Sequence, residues 1–249
     1  MQASVYLGNL GGLSANNNVI RLDLRGTGDS ATPADQETYR CDRQIEDVEA
    51  LRTHLGLDRI DLLGHSAGGT LALRYATRHP DRVRRLVLVS PSPRPVGIEI
   101  TDAARRAVAE LRRGERWFSD AFSAFERIWC GDFSSANWAA ITPFSHGVWD
   151  ADRQAFAARE ANEINADAAA VYYSANALDP DATRAELSRL TAPVLLLTGE
   201  YDVGLPPKFA AEYAALFTSA RLAVQPRGGH FPWLDDPGWF VPTVAAFLS

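Results

Sequence analysis

The sequence predicts an α/β fold: a mostly parallel sheet with helices on both of its faces. Five short runs rich in apolar and β-branched residues, at 19–24, 60–63, 83–89, 194–198 and 221–225, read as strands. Helical patterns lie between them, and that alternation is the mark of parallel strands joined by crossover helices. After the third run the composition shifts. From 101 to about 190 the chain is rich in Ala, Arg and Glu and patterned as one helix after another, which predicts an all-helical cap inserted between strands and lying above the sheet.

Each element has its own signal. Ser4-Val5-Tyr6-Leu7 suits either a short strand or the start of a weak helix reaching Leu13, and Asn16-Asn17-Asn18 breaks either pattern. The strand at 19–24 ends in the tight polar loop Arg25-Gly26-Thr27-Gly28-Asp29-Ser30, where Arg25 and Asp29 read as loop-stabilising. A helix begins near Asp42, with Ile45, Val48, Leu51 and Leu55 at helical spacing and Gly56 as its stop. The run 60–63 leads into a second helix carrying Leu71 and Tyr75, which ends before Pro80. Ser90-Pro91-Ser92-Pro93-Arg94-Pro95 is a stiff exit from the third strand. Pro193 introduces the fourth strand, Phe209, Tyr213 and Leu216 mark a helix, and Trp239, Val244, Phe247 and Leu248 a closing one. The expected division is a core at 1–92 and 191–249 with a cap at 93–190.

A chain of 249 residues, 46% hydrophobic, can bury one large core and an excursion from it. Its net charge of −6 excludes a basic face for nucleic acid. No apolar run reaches membrane-spanning length, and Met1 to Leu10 lacks the regions of a signal peptide, so a soluble cytoplasmic protein is expected, with no membrane partner. Cys41 and Cys130 match no metal-ligand spacing and are expected as free thiols. No cofactor or metal is expected.

The chemistry gathers at strand ends. Gly64-His65-Ser66-Ala67-Gly68 fits G-x-S-x-G with a strand before it and a helix after it. A strand that reverses sharply into a helix strains its central residue, and glycines two positions to either side let the two backbones approach. Ser66 then stands at the apex, with the N–H of Ala67 aimed where an oxyanion would form. Asp202, in Gly199-Glu200-Tyr201-Asp202, and His230, in Gly228-Gly229-His230, follow later strands. A serine hydroxyl needs an imidazole to take its proton, and the imidazole needs a carboxylate to fix its tautomer, so these three form a coherent set. His65 points away from the apex and reads as packing, while His54, His79 and His146 read as helix or surface histidines. Trp117, Trp129, Trp138 and Trp149 suit the core of the cap, with an acyl pocket as the alternative.

With Asp23-Leu24-Arg25-Gly26-Thr27-Gly28-Asp29-Ser30, Gly64 to Gly69, Gly199 to Asp202 and Gly229-His230-Phe231-Pro232-Trp233 in this order, the chain resembles the capped α/β-hydrolases of the proline iminopeptidase-like group. The resemblance implies Ser66 as nucleophile, His230 as base and then acid, Asp202 as its partner, Ala67 as one oxyanion donor, and an acyl-enzyme. It implies a small ester, amide or short peptide as substrate. Two departures count. Proline iminopeptidases carry Trp after the nucleophile where this chain has Ala67. The family's His-Gly-Gly-Pro-type loop, which gives a second oxyanion donor, has no match. Gly11-Gly12 stands too close to the strand at 19–24 for a parallel crossover, so Tyr6 to Ala15 reads as the remains of a crossover helix. The N-terminal strands are thus expected to be absent, with impaired activity and self-association through open strand edges. Three readings follow: a serine hydrolase of esters or amides, an aminopeptidase using Glu126, Glu160 or Glu163 for the substrate amine, or a non-catalytic relative.

Overall fold

The computed structural model describes residues 2–249. The chain opens with α1 (Ala3–Tyr6) and a 3-10 turn at Leu10–Ala15, and continues to α2 (Ile45–His54), β1 (Ile60–His65), α3 (Ala67–Arg78) and β2 (Val83–Val89). Between β2 and the next strand the described α-helices are α4 (Asp102–Glu110), α5 (Phe118–Trp129), α6 (Ser135–Ala140), α7 (Ala151–Asn162), α8 (Ala166–Tyr172) and α9 (Pro180–Leu187). β3 (Val194–Gly199), α10 (Pro207–Ala214), β4 (Ala220–Gln225), α11 (Pro232–Asp235) and α12 (Pro237–Leu248) complete it. Among the described residues, no helix is long and apolar enough to cross a membrane.

The sheet is parallel throughout, in the order β1-β2-β3-β4. Its strands alternate between two cores, as a period of two requires. Leu86 and Leu88 of β2 and Val194 and Leu196 of β3 face α2, α3 and α10, where they meet Ile45, Val48, Leu73, Tyr75, Phe209 and Tyr213. Val87, Val89, Leu195 and Leu197 face the other way, onto Leu10, Leu13, Trp233, Phe240 and Val244. Helices thus cover both faces, and these central strand residues are wholly apolar because neither face meets water. The helical insertion packs around its own aromatic cluster of Phe118, Phe125 and Phe144.

The first of the five expected strands, 19–24, is not one. The segment is unassigned to any ladder among the described residues. Leu22 and Leu24 still pack on the sheet's core, so the apolar signal there came from side-chain burial. The carbonyls of Asp23 and Leu24 accept from the Ser30 and Thr27 hydroxyls in place of a neighbouring strand. The N-terminal ambiguity resolves as helical, in two short pieces. Gly8, at positive φ, follows the first piece, and Gly11 and Gly12, also at positive φ, kink the second from within. Gly11 closes against the Trp233 carbonyl and Pro237, where a Cβ would come to 2.8 and 3.1 Å. Arg25 pairs with Asp47 of α2 through two hydrogen bonds of 2.6 and 2.7 Å.

Candidate active site

Ser66 links β1 to α3 in a backbone conformation that L-residues rarely adopt, φ +51° and ψ −120°. Three backbone hydrogen bonds hold it there. Its N–H donates to Val89 at the end of β2, and its carbonyl accepts from Gly69 and Ser92, all at 3.0 Å. The glycine requirement differs from the expected one. A Cβ on Gly64 would come within 2.5 Å of the Gly68 carbonyl and 2.8 Å of the Gly69 Cα, so the first glycine is needed. A Cβ on Gly68 would meet nothing within 4 Å. The second tight position is Gly69, whose Cβ would lie 2.9 Å from Pro91. Strand and helix close at the positions two before and three after the serine, since three residues bring a helix back to the same face. Ala67 opens α3, so its N–H has no carbonyl one turn back.

Asp202 and His230 are brought together by two loops that nearly touch: a Cβ on Gly199 would clash with the backbone of Gly228 and Gly229. His230 Nδ1 lies 3.1 and 3.2 Å from the two carboxylate oxygens of Asp202. A carboxylate can only accept, so Nδ1 carries the proton and Nε2 a free lone pair. Asp202 is fully buried and also accepts the N–H groups of Gly204 at 2.7 Å and Leu205 at 3.1 Å. Burial pulls its pKa up, but the His230 charge and these donors outweigh burial and hold it at about 2. On His230, burial pulls downward, while Asp202 and, at longer range, Glu160 raise the pKa above the ordinary imidazole value.

His65 holds the His230 backbone. Its Nε2 lies 2.9 Å from the His230 carbonyl and must donate there, which leaves Nδ1 to accept from the Tyr6 hydroxyl at 3.4 Å. Burial and the nearby His230 push His65 down to about 3, so it stays neutral. From the other side, the His230 N–H donates to the Ser145 carbonyl at 2.8 Å. Among the described residues none of these bonds joins His230 to Ser66 Oγ; Ser66 stands beside it through His65, whose ring centroid is 4.8 Å from that of His230.

The segment around Ser145 was not legible in the sequence. His146 is fully buried, stacked on Phe231 at 5.0 Å, rather than on a helix or the surface. Asp235 accepts from the Gly229 N–H at 2.7 Å and stabilises the same corner. Gly147 and Gly229 were the available signal, because a Cβ on the first would meet the Arg227 carbonyl and one on the second the Ser145 carbonyl.

A cavity of about 470 Å³ opens on Asp202, Gly204 and His230 from the cap side, and Ser66 is not among its lining residues. The four tryptophans divide. Trp129 and Trp138 line the cavity, whereas Trp117 packs edge-on against Phe144 at 5.0 Å and Trp149 lies 5.3 Å from His146. Of the acidic candidates, Glu126 is paired with Arg106 at 2.8 Å. Glu160 is drawn up to about 7 by burial and is close enough to His230 for the two charges to interact. Among the described residues no group of three or more His, Cys, Asp or Glu side chains could hold a metal ion. Cys41 and Cys130 are free thiols.

Comparison with known proteins agrees with this architecture. A family model described as alpha/beta hydrolase fold matches residues 13–237. The chain is 28% identical over 241 residues to a putative 2-succinyl-6-hydroxy-2,4-cyclohexadiene-1-carboxylate synthase of Bacillus subtilis (strain 168), covering 93% of this chain and 81% of that protein. It is 22% identical over 245 residues to a proline iminopeptidase of Heyndrickxia coagulans, with coverage of 93% and 81%. An esterase from Exiguobacterium antarcticum shares the fold, with a TM-score of 0.68 at 21% identity over 96% of this chain and 87% of that one. The chain belongs to the alpha/beta hydrolase fold family.

Proposed function

We propose that the protein is a serine hydrolase that cleaves a small ester or amide through an acyl-enzyme. The observation that supports this best is the fixing of His230. Its ring is held by Asp202, its N–H by Ser145 and its carbonyl by His65, the residue next to Ser66. In this reading Ser66 Oγ attacks the substrate carbonyl carbon and its proton passes to His230 Nε2. The oxyanion takes the Ala67 N–H, and the leaving group departs with the proton from His230. Water then attacks the acyl carbon, giving a proton to His230, which returns it to Ser66 Oγ as the acid product leaves. Asp202 stays ionised and stabilises the imidazolium. The cap, 93–190, supplies the walls of the cavity and the core, 1–92 and 191–249, supplies the reacting groups.

A fluorophosphonate probe tests the reading directly. Labelling of the wild type at Ser66, absent in Ser66→Ala, is the expected result. An unlabelled wild type would point to a non-catalytic relative. A second reading, removal of an N-terminal residue from a peptide, draws support from Glu160, a part-buried carboxyl whose charge acts on His230 at longer range. Turnover of proline p-nitroanilide above that of p-nitrophenyl esters would select it.

A further inference from the structure

Arg105 lies on α4 and lines the cavity that opens on His230. Its Nη1 donates to the Val203 carbonyl at 2.6 Å. A guanidinium has five N–H donors in a planar fork, and among the described residues no carboxylate stands within ion-pair distance of this one. The arginines nearby on the cap differ: Arg106 pairs with Glu126, Arg112 with Glu115 and Arg113 with Glu110. Arg105 is also drawn out of water. Burial lowers its pKa, and Asp102 and Asp202 offset that only from a distance. A cation partly desolvated and left unpaired is costly, and a ligand that brings its own negative charge removes the cost. Around it the cavity is apolar and aromatic, with Phe125, Trp129, Phe133, Trp138 and Ile141.

We infer that the substrate carries a carboxylate on an apolar or aromatic stem, and that Arg105 binds this carboxylate while the scissile carbonyl faces His230. The inference rests on the serine hydrolase reading and adds the substrate's charge. Two N–H groups of one guanidinium match the two oxygens of a carboxylate. Asp102, three residues earlier on α4 and also lining the cavity, opposes an anion there and moderates the preference.

A matched pair of esters tests it: mono-(4-nitrophenyl) glutarate, ending in a carboxylate, and 4-nitrophenyl pentanoate, ending in a methyl. The readout is the ratio of their kcat/KM values. A charge-assisted hydrogen-bonded pair should favour the glutarate, and Arg105→Gln should lower the ratio about 10- to 100-fold. Arg105→Lys should restore part of it, and Asp102→Asn should raise it. A wild-type ratio that Arg105→Gln leaves unchanged overturns the inference, and assigns Arg105 to holding the Asp202 loop through Val203. If the wild type neither labels nor turns over, the serine hydrolase reading fails separately. Quenching of Trp129 and Trp138 then decides, by titration with 4-phenylbutyrate and 4-phenylbutyramide. Tighter binding of the acid that depends on Arg105 upholds the carboxylate site, and equal binding sinks it.

Discussion

Asp202 and Glu160 both act on His230, and their effects agree in sign. Each negative charge favours the imidazolium, and together they outweigh burial, so His230 titrates above the ordinary value near 6.5. A general base works only when neutral. Ester kcat/KM should therefore rise with pH through a midpoint above 6.5. Asp202→Asn should move that midpoint down as well as lowering the plateau. Glu160, held up to about 7, carries its charge above that pH and favours the imidazolium there, so Glu160→Gln should move the midpoint down too. A wild-type midpoint below 6 would remove His230 from the role of base. Under the proposed mechanism Ser66→Ala and His230→Ala should each cost roughly 10⁴- to 10⁶-fold in kcat, because triad members would act as a unit, and Asp202→Asn less. The sequence singled out these three because each ends an apolar strand. Arg105, Ser145 and Asp235 carry no such mark: each is defined by what a distant segment places beside it.

At the scale of the element, the turn at Ser66 is set by clearance. Gly64→Ala would drive a Cβ into the Gly68 carbonyl and the Ala72 Cβ, at 2.5 and 2.7 Å, and overpacking of that kind costs about 1–3 kcal/mol. Gly68→Ala meets open space inside α3 and should stabilise by about 0.5–1 kcal/mol. Urea unfolding of the two variants, compared with wild type, checks the pair. Equal destabilisation would mean the helix and strand are closer at Gly68 than described. The sequence motif alone suggested that both flanking glycines were needed, because a motif records which residues recur and not how far apart their backbones lie. The same limit explains 19–24. Its apolar pattern correctly marked Leu22 and Leu24 as packed, but a ladder depends on a neighbour at the right distance, which no local pattern reports. The strands at 83–89 and 194–199 were legible because burial on both faces makes their central stretches, 86–89 and 194–197, wholly apolar.

For the whole molecule, two buried histidines beside His230 make it sensitive to acid. His65 is held down to about 3 and His146 to about 4, both chiefly by burial. Each has a native pKa below the unfolded value near 6.5, so the unfolded chain binds more protons throughout that gap. Stability then falls as pH drops from 6.5 toward 3 for His65 and toward 4 for His146, by roughly 4–5 and roughly 3 kcal/mol respectively. Glu160 works against them. Its native pKa of about 7 lies above the unfolded carboxyl value, so protonating it between 7 and 4.5 restores stability. Asp202 enters only below its unfolded value, as pH falls toward about 2. His230, whose pKa is also raised, sides with Glu160, so the two depressed histidines are opposed by two raised groups. His146 isolates the effect. Both of its ring nitrogens are buried without a hydrogen-bond partner among the described residues, and it stacks on Phe231. A phenyl ring fills nearly the same space and cannot take up a proton. His146→Phe should therefore flatten the fall in urea-unfolding free energy between pH 6.5 and 4 by about 3 kcal/mol, leaving the His65 share in place. Parallel curves for wild type and variant would mean that His146 is hydrated in the folded protein and titrates as it does in the unfolded chain.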